Sequence, residues 1–167
     1  MSQTTIVAVW PNEKSECVEK LRNAWGSAPV VWNDMAVRYL DCRDNGYWSC
    51  QDKLWPLYKR NDIPLHHRAV LTMTYDNCYV KQEHYAKAAE LIRMYLADFP
   101  PDPQHVHHWS RIAEIFESNP AYPAIGFWMT SVCENPFDGE WNDDVEEYEQ
   151  PDWSKYWSVF DILESMN

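Results

Sequence analysis

The sequence predicts an α+β fold, a small sheet packed by several helices, with an α/β sheet as the alternative. Three observations lead there. Broad apolar stripes recur at helical spacing over residues 81–99 and 103–118. Short β-branched or alternating runs stand at 5–10, 69–75 and 124–132. The helical segments cluster instead of alternating with strands, so few crossovers joining parallel strands are expected. With 167 residues, 46% of them apolar and 24% charged, a single globular domain over 1–167 is expected. A domain of this size buries roughly 70% of its unfolded surface and needs no metal or disulfide to be stable.

Residues 5–10 are rich in β-branched side chains and stop at Pro11, which predicts a first strand. Asn12 can cap a helix running to Trp25, with Cys17, Val18, Leu21 and Trp25 on one face and Gly26 as its stop. A short strand at 29–32 is expected next. Asn33 and Asp34 then cap a helix over 35–40, and residues 43–46 form a turn. Residues 47–60 read as helical with a break at Pro56, because proline costs a helix interior roughly 3 kcal/mol.

The clearest period-two pattern is 69–75, where Leu71, Met73 and Tyr75 alternate with Thr72 and Thr74; Asp76 and Asn77 turn it. The strongest helix is 81–99, ended by Pro100 and Pro101, and another is expected over 103–118. A strand over 124–132 is bounded by Pro123 and Pro136. Pro151 opens a final helix whose Trp153, Tyr156, Trp157, Phe160 and Leu163 are spaced to pack inward.

The five cysteines form no C-x-x-C pair and are odd in number, so free thiols in a reducing compartment are expected. No basic-then-apolar leader and no run of 18 apolar residues is visible, and a cytoplasmic location is the expectation. Only four Gly stand against eleven Pro, which argues against phosphate-cradling loops. Ten Trp and ten Tyr serve cores and binding surfaces equally well; Trp48, Trp55, Trp109 and Trp128 sit in apolar periodic segments and are assigned to the core.

Charge is the most informative feature. The net charge is −12, yet residues 1–133 hold 15 acids and 13 bases, whereas 134–167 hold 11 acids and one base, Lys155. Residues 134–152 carry nine acids and no Lys, Arg or His, with Phe137, Trp141 and Tyr148 interleaved and Trp153 next. A disordered tail would be poor in rings, so an acidic loop of about 134–152 pinned by its aromatics is expected. Direct nucleic-acid binding and anionic membranes are disfavoured, since both need clustered Lys and Arg.

No catalytic or cofactor motif emerges. His105 and His108 are spaced i, i+3, and His66 and His67 could approach them. No accompanying Glu or nearby Cys completes a shell, so solvated histidines without metal are expected. No G-x-S-x-G occurs, and Cys78 is the least implausible nucleophile. The leading expectation is therefore a non-enzymatic acidic protein that neutralises a basic protein partner. In general character, though not in sequence, it is similar to bacterial immunity proteins and antitoxins. The partner-binding residues would be Asp138, Glu140, Trp141, Asp143, Asp144, Glu146, Glu147, Tyr148, Glu149 and Trp153. The alternatives are a small enzyme with a carboxylate/His site in a Trp-lined pocket, and a DNA-mimic inhibitor.

Overall fold

A computed structural model describes residues 1–11, 13–43 and 46–166 and builds them around strand β1 (Gln3–Val9), six of whose seven residues are buried. A strand covered on both faces needs hydrogen-bonding partners on both edges. Antiparallel β2 (Glu16–Arg22) supplies one and antiparallel β4 (Ala124–Trp128) the other. Strand β3 (Cys78–Lys81) pairs antiparallel to β4, and the short β7 (Trp157–Ser158) runs parallel to β3. The five-stranded order is β2-β1-β4-β3-β7. Together with the helices this is an α+β fold.

The two faces of the sheet are covered differently. On one face Ile6, Val80, Ile125 and Phe127 join a large core built with helices α1 (Ala28–Leu40), α2 (Gln51–Leu54), α3 (Leu65–Met73), α4 (Tyr85–Asp98), α5 (Trp109–Glu117) and α6 (Val159–Ser165). Strand side chains alternate, so Val7, Val9, Tyr79 and Ala124 face the other way. There they meet Phe137 and Tyr156, both buried, with Trp153 packed alongside. The acidic C-terminal part of the chain thus lids the second face of the sheet. Gly126 makes this possible: a Cβ there would lie 2.5 Å from the Phe137 ring.

Several elements differ from the sequence expectation. Residues 16–22 form strand β2 in place of the expected helix over 12–25 (Asn12 lies outside the described residues). Of that helix's intended face only Leu21 is buried, while Trp25 is 57% exposed. Pairing with β1 outweighs the weak helical pattern. β2 is a charged edge strand with an irregularity opposite Ile6 and Val7, and Arg111 of α5 fastens it by donating to the Glu19 carboxylate at 2.8, 2.9 and 3.2 Å. Residues 29–32 are not a strand. Pro29 lies in the first turn of α1, where its missing N–H costs nothing, and the helix runs on past Asn33 and Asp34 to Asp41 in left-handed conformation. Asp44 and Asn45 of the expected 43–46 turn lie outside the described residues.

The alternating run 69–75 is helical up to Met73. All seven residues of 67–73 are buried, so burial does not follow the alternation of the sequence. Thr72 satisfies its hydroxyl by donating to the Arg68 carbonyl at 2.8 Å. The break at Pro56 is present, as a short 3₁₀ segment Trp55–Lys59 after α2. The 103–118 helix begins only at Trp109, after the proline-rich 100–103. The final helix over 151–165 is split into a 3₁₀ turn (Trp153–Lys155), β7 and α6, so Trp157 points outward with 55% exposure. Trp48 at 64% and Trp55 at 37% are also exposed, whereas Trp109 is fully buried and donates to the Ser27 carbonyl at 2.9 Å.

All five cysteines are free thiols in the structure, Cys17 and Cys133 exposed and Cys50 and Cys78 buried. Burial pushes the Cys78 thiol up to about 12, which removes its nucleophilic form at neutral pH. Thiol titration without reductant is expected to find five thiols per denatured chain, with Cys17 and Cys133 reacting first in the native protein. A disulfide found by peptide mapping would contradict this.

Candidate functional site

The acidic segment is ordered by two strands of two residues, β5 (Trp141–Asn142) and β6 (Glu147–Tyr148), paired antiparallel with Trp141 opposite Tyr148. Gly139 stands at the base of this hairpin with φ +80°, and a Cβ there would lie 2.3 Å from the Glu149 carbonyl oxygen. The backbone at the base is closed by Glu149 N–H donating to the Glu140 carbonyl at 2.8 Å. Asn142 donates to the Glu149 carboxylate at 2.9 Å, and its own side-chain oxygen accepts from the Asp144 N–H at 3.0 Å. Asn142 thus fixes the Glu149 carboxylate, and the Trp141 indole N–H donates to the Asp143 carboxylate at 2.9 Å.

The ten residues expected to bind a partner fall into two groups. Glu140, Trp141, Asp143, Asp144, Glu146, Glu147, Tyr148 and Glu149 are all exposed on the hairpin. The Trp141 and Tyr148 rings meet edge to face at 5.0 Å with 47% and 41% of their surfaces exposed. Asp138 and Trp153 belong to the base instead. Asp138 accepts from the Ser15 hydroxyl at 2.7 Å, and Trp153 lies half-buried against Tyr79 at 4.8 Å. Basic groups are sparse: among the described residues Lys155 makes the segment's ion pair, 3.4 Å from Glu140, and the Lys14 ammonium stands 5.9 Å from the Tyr148 ring.

The histidines are arranged otherwise than their spacing suggested. His105 pairs with Asp102 at 2.9 Å, and His108 bonds to the Asn23 carbonyl at 2.9 Å, so these two serve local structure. His66 and His67, in the first turn of α3, converge instead on Asp98 at the end of α4, with Nε2 to Oδ2 distances of 2.6 and 2.8 Å. His67 is not solvated. It is buried, and its Nδ1 bonds to the Tyr39 hydroxyl. Burial lowers its proton affinity, while the two imidazoles hold the Asp98 carboxyl below the usual range. Among the described residues, His66, His67 and Asp98 form the one group of three donors able to share a metal ion. The i, i+3 spacing of His105 and His108 was the pattern visible in the sequence, and no metal was expected there; Asp98, the third member of the group, lies about 30 residues from the histidine pair and carries no pattern of its own.

Asp98 also borders a cleft of about 600 Å³ shared with Trp25, Asp34, His105 and His107. Desolvation raises the Asp34 carboxyl to about 6, although it accepts a hydrogen bond from the Tyr95 hydroxyl. His107 is pushed below the usual imidazole value by burial, and its buried Nδ1 has no hydrogen-bond partner among the described residues. A second pocket of about 340 Å³ is walled by Trp32, Trp55, Tyr75 and Trp128, with Asp76 and Glu134 at its edge. Trp32 and Trp55 stand nearly perpendicular at 5.3 Å. Comparison with known proteins yields no match among family models, curated proteins or solved structures.

Proposed function

We propose that the protein binds and neutralises a basic protein partner through the 140–149 hairpin, in the manner of an immunity protein or antitoxin against a toxic nuclease. The observation that carries this reading is the presence of two exposed aromatic rings, Trp141 and Tyr148, within a dense and nearly uncompensated field of carboxylates. Carboxylates steer a cationic partner and pair with the Lys and Arg it uses for its own substrate, and desolvated rings at the centre supply residence time. The ordered hairpin lowers the entropic cost of docking, because its strands and side-chain bonds are already formed.

The test is to use the parent and a quadruple variant, with Asp143 and Asp144 replaced by Asn and Glu146 and Glu147 by Gln, as paired baits in host extract at low salt. The parent is expected to retain a basic protein that the variant retains poorly. With that protein purified, association to the variant should be slower by roughly 10- to 100-fold at low salt. The parental rate should fall steeply with added salt, whereas the variant's should be nearly flat, since exposed charges are screened beyond about 8 Å at physiological ionic strength. Folding should barely change, because exposed carboxylates contribute little to stability. Equal association rates for both proteins at low and high salt would sink the proposal.

A second reading, a small enzyme, is favoured by one specific observation. A carboxyl raised to about 6 and a half-buried histidine, whose Nδ1 has no hydrogen-bond partner among the described residues, line the same Trp-bearing cleft. Asp34 and His107 would be its acid–base pair. Loss of a detected turnover in both Asp34→Asn and His107→Gln, with the hairpin variant unaffected, would support this reading over the first.

A further inference from the structure

We propose that His66 Nε2, His67 Nε2 and the Asp98 carboxylate bind one divalent transition-metal ion, with a fourth coordination position open to solvent beside the 600 Å³ cleft. Neighbouring residues on a helix normally diverge by about 100° (3.6 residues per turn). Here the two imidazoles nevertheless bring their Nε2 atoms to the same oxygen, with ring centroids 4.4 Å apart and planes at 75°. All three donor atoms lie within 4.8 Å of one another. Two imidazole nitrogens and one carboxylate oxygen are a donor set suited to zinc and its neighbours, and three protein ligands with one open position is the pattern of exchangeable, solvent-accessible sites.

Tetrahedral bonds of 2.0–2.1 Å place ligand atoms about 3.3 Å apart. The present 2.6 and 2.8 Å separations would therefore open by about 0.7 and 0.5 Å. Asp98 can accommodate this, because its side chain is 45% exposed. The proton bookkeeping closes as well. Without metal, the Asp98 carboxylate can only accept, which assigns a proton to each Nε2 and, for a neutral His67, leaves Nδ1 to accept from the Tyr39 hydroxyl. With metal, the Nε2 lone pairs bind the ion and each imidazole proton resides on Nδ1. His67 Nδ1–H then donates to the Tyr39 oxygen, the outer-shell bond that orients a metal-bound histidine. Tyr39 is a positioning residue.

The site stands apart from the hairpin, and its test is independent of the proposed function. Untagged full-length protein is titrated with zinc alone and with magnesium alone by calorimetry. One zinc per chain is expected, and no magnesium. His66→Ala and Asp98→Asn, both at partly exposed positions, should each weaken zinc binding by at least about tenfold, and Tyr39→Phe by about tenfold. Nitrogen NMR shifts of His67 should show the proton moving from Nε2 to Nδ1 on zinc addition. The neutralised hairpin variant should bind zinc as the parent does. Absence of saturable zinc binding would overturn the proposal. So would parental affinity in His66→Ala or Asp98→Asn, or loss of binding in the hairpin variant alone.

Discussion

Replacing Phe160 with alanine is expected to cost about 3–5 kcal/mol, while replacing Trp157 three residues earlier should cost less than about 1 kcal/mol. The Phe160 ring is 1% exposed and belongs to the large core, with His84 at 4.9 Å and the Lys87 ammonium 4.8 Å from its centroid. Its removal leaves a cavity that α6, tied to the sheet through β7, cannot collapse to fill. Trp157 contributes to the same region through its backbone: its N–H donates to the Asn77 carbonyl at 2.8 Å. An alanine keeps that bond, and the lost side chain is 55% exposed. Urea unfolding of both variants checks this. Since small domains are stable by only about 5–15 kcal/mol, the Phe160 loss should be plain in the midpoint. Comparable losses from the two substitutions, or a Phe160 loss below about 1 kcal/mol, would mean that the C-terminal segment packs differently.

That contrast also shows what was legible in the sequence. The α+β class, β1, β4, the long helix α4 and the pinning of the acidic run all follow from periodicity and composition. Phe137 does the pinning, as the interleaved rings implied, and Gly126 beneath it could be recognised only once the strand register was known. For α3 and β2 the misreading came from burial on every side and from pairing at a distance. In α3 the run from His67 to Met73 is entirely buried, so alternation in the sequence had no meaning there. β2 is a strand because β1 needs an edge partner, and nothing local in residues 16–22 demands it. Candidate sites divide the same way. The acidic run is contiguous and legible from charge and interleaved rings, although the sequence suggested a loop and the hairpin appears only in the structure. The His66, His67 and Asp98 group, like the cleft around Asp34, is assembled from separate helices and has no contiguous signature.

Asp34→Asn is expected to stabilise the protein at neutral pH by about 2–3 kcal/mol and to leave it nearly unchanged near pH 4. Asp34 sits on α1 with its carboxyl drawn out of water against Tyr95, and desolvation lifts it to about 6 in the folded state, from about 4 in the unfolded chain. Below pH 4 the group is protonated in both states and its burial costs little. Between pH 4 and 6 the unfolded chain gives up its proton while the folded chain keeps it. Stability therefore falls as pH rises through that window, by about 1.4 kcal/mol per unit of separation, and levels off above pH 6. Asparagine keeps an oxygen to accept the Tyr95 hydroxyl and has no charge to desolvate, so the penalty disappears. The measurement is urea unfolding of parent and variant at pH 4.0, 5.0, 6.0 and 7.5, read as the difference between them, in which the other titrating groups cancel. A difference that opens between pH 4 and 6 and then stays constant is the expected result. A pH-independent difference would show that Asp34 is solvated in the folded protein, and with it would go the raised carboxyl on which the acid–base reading of the cleft depends.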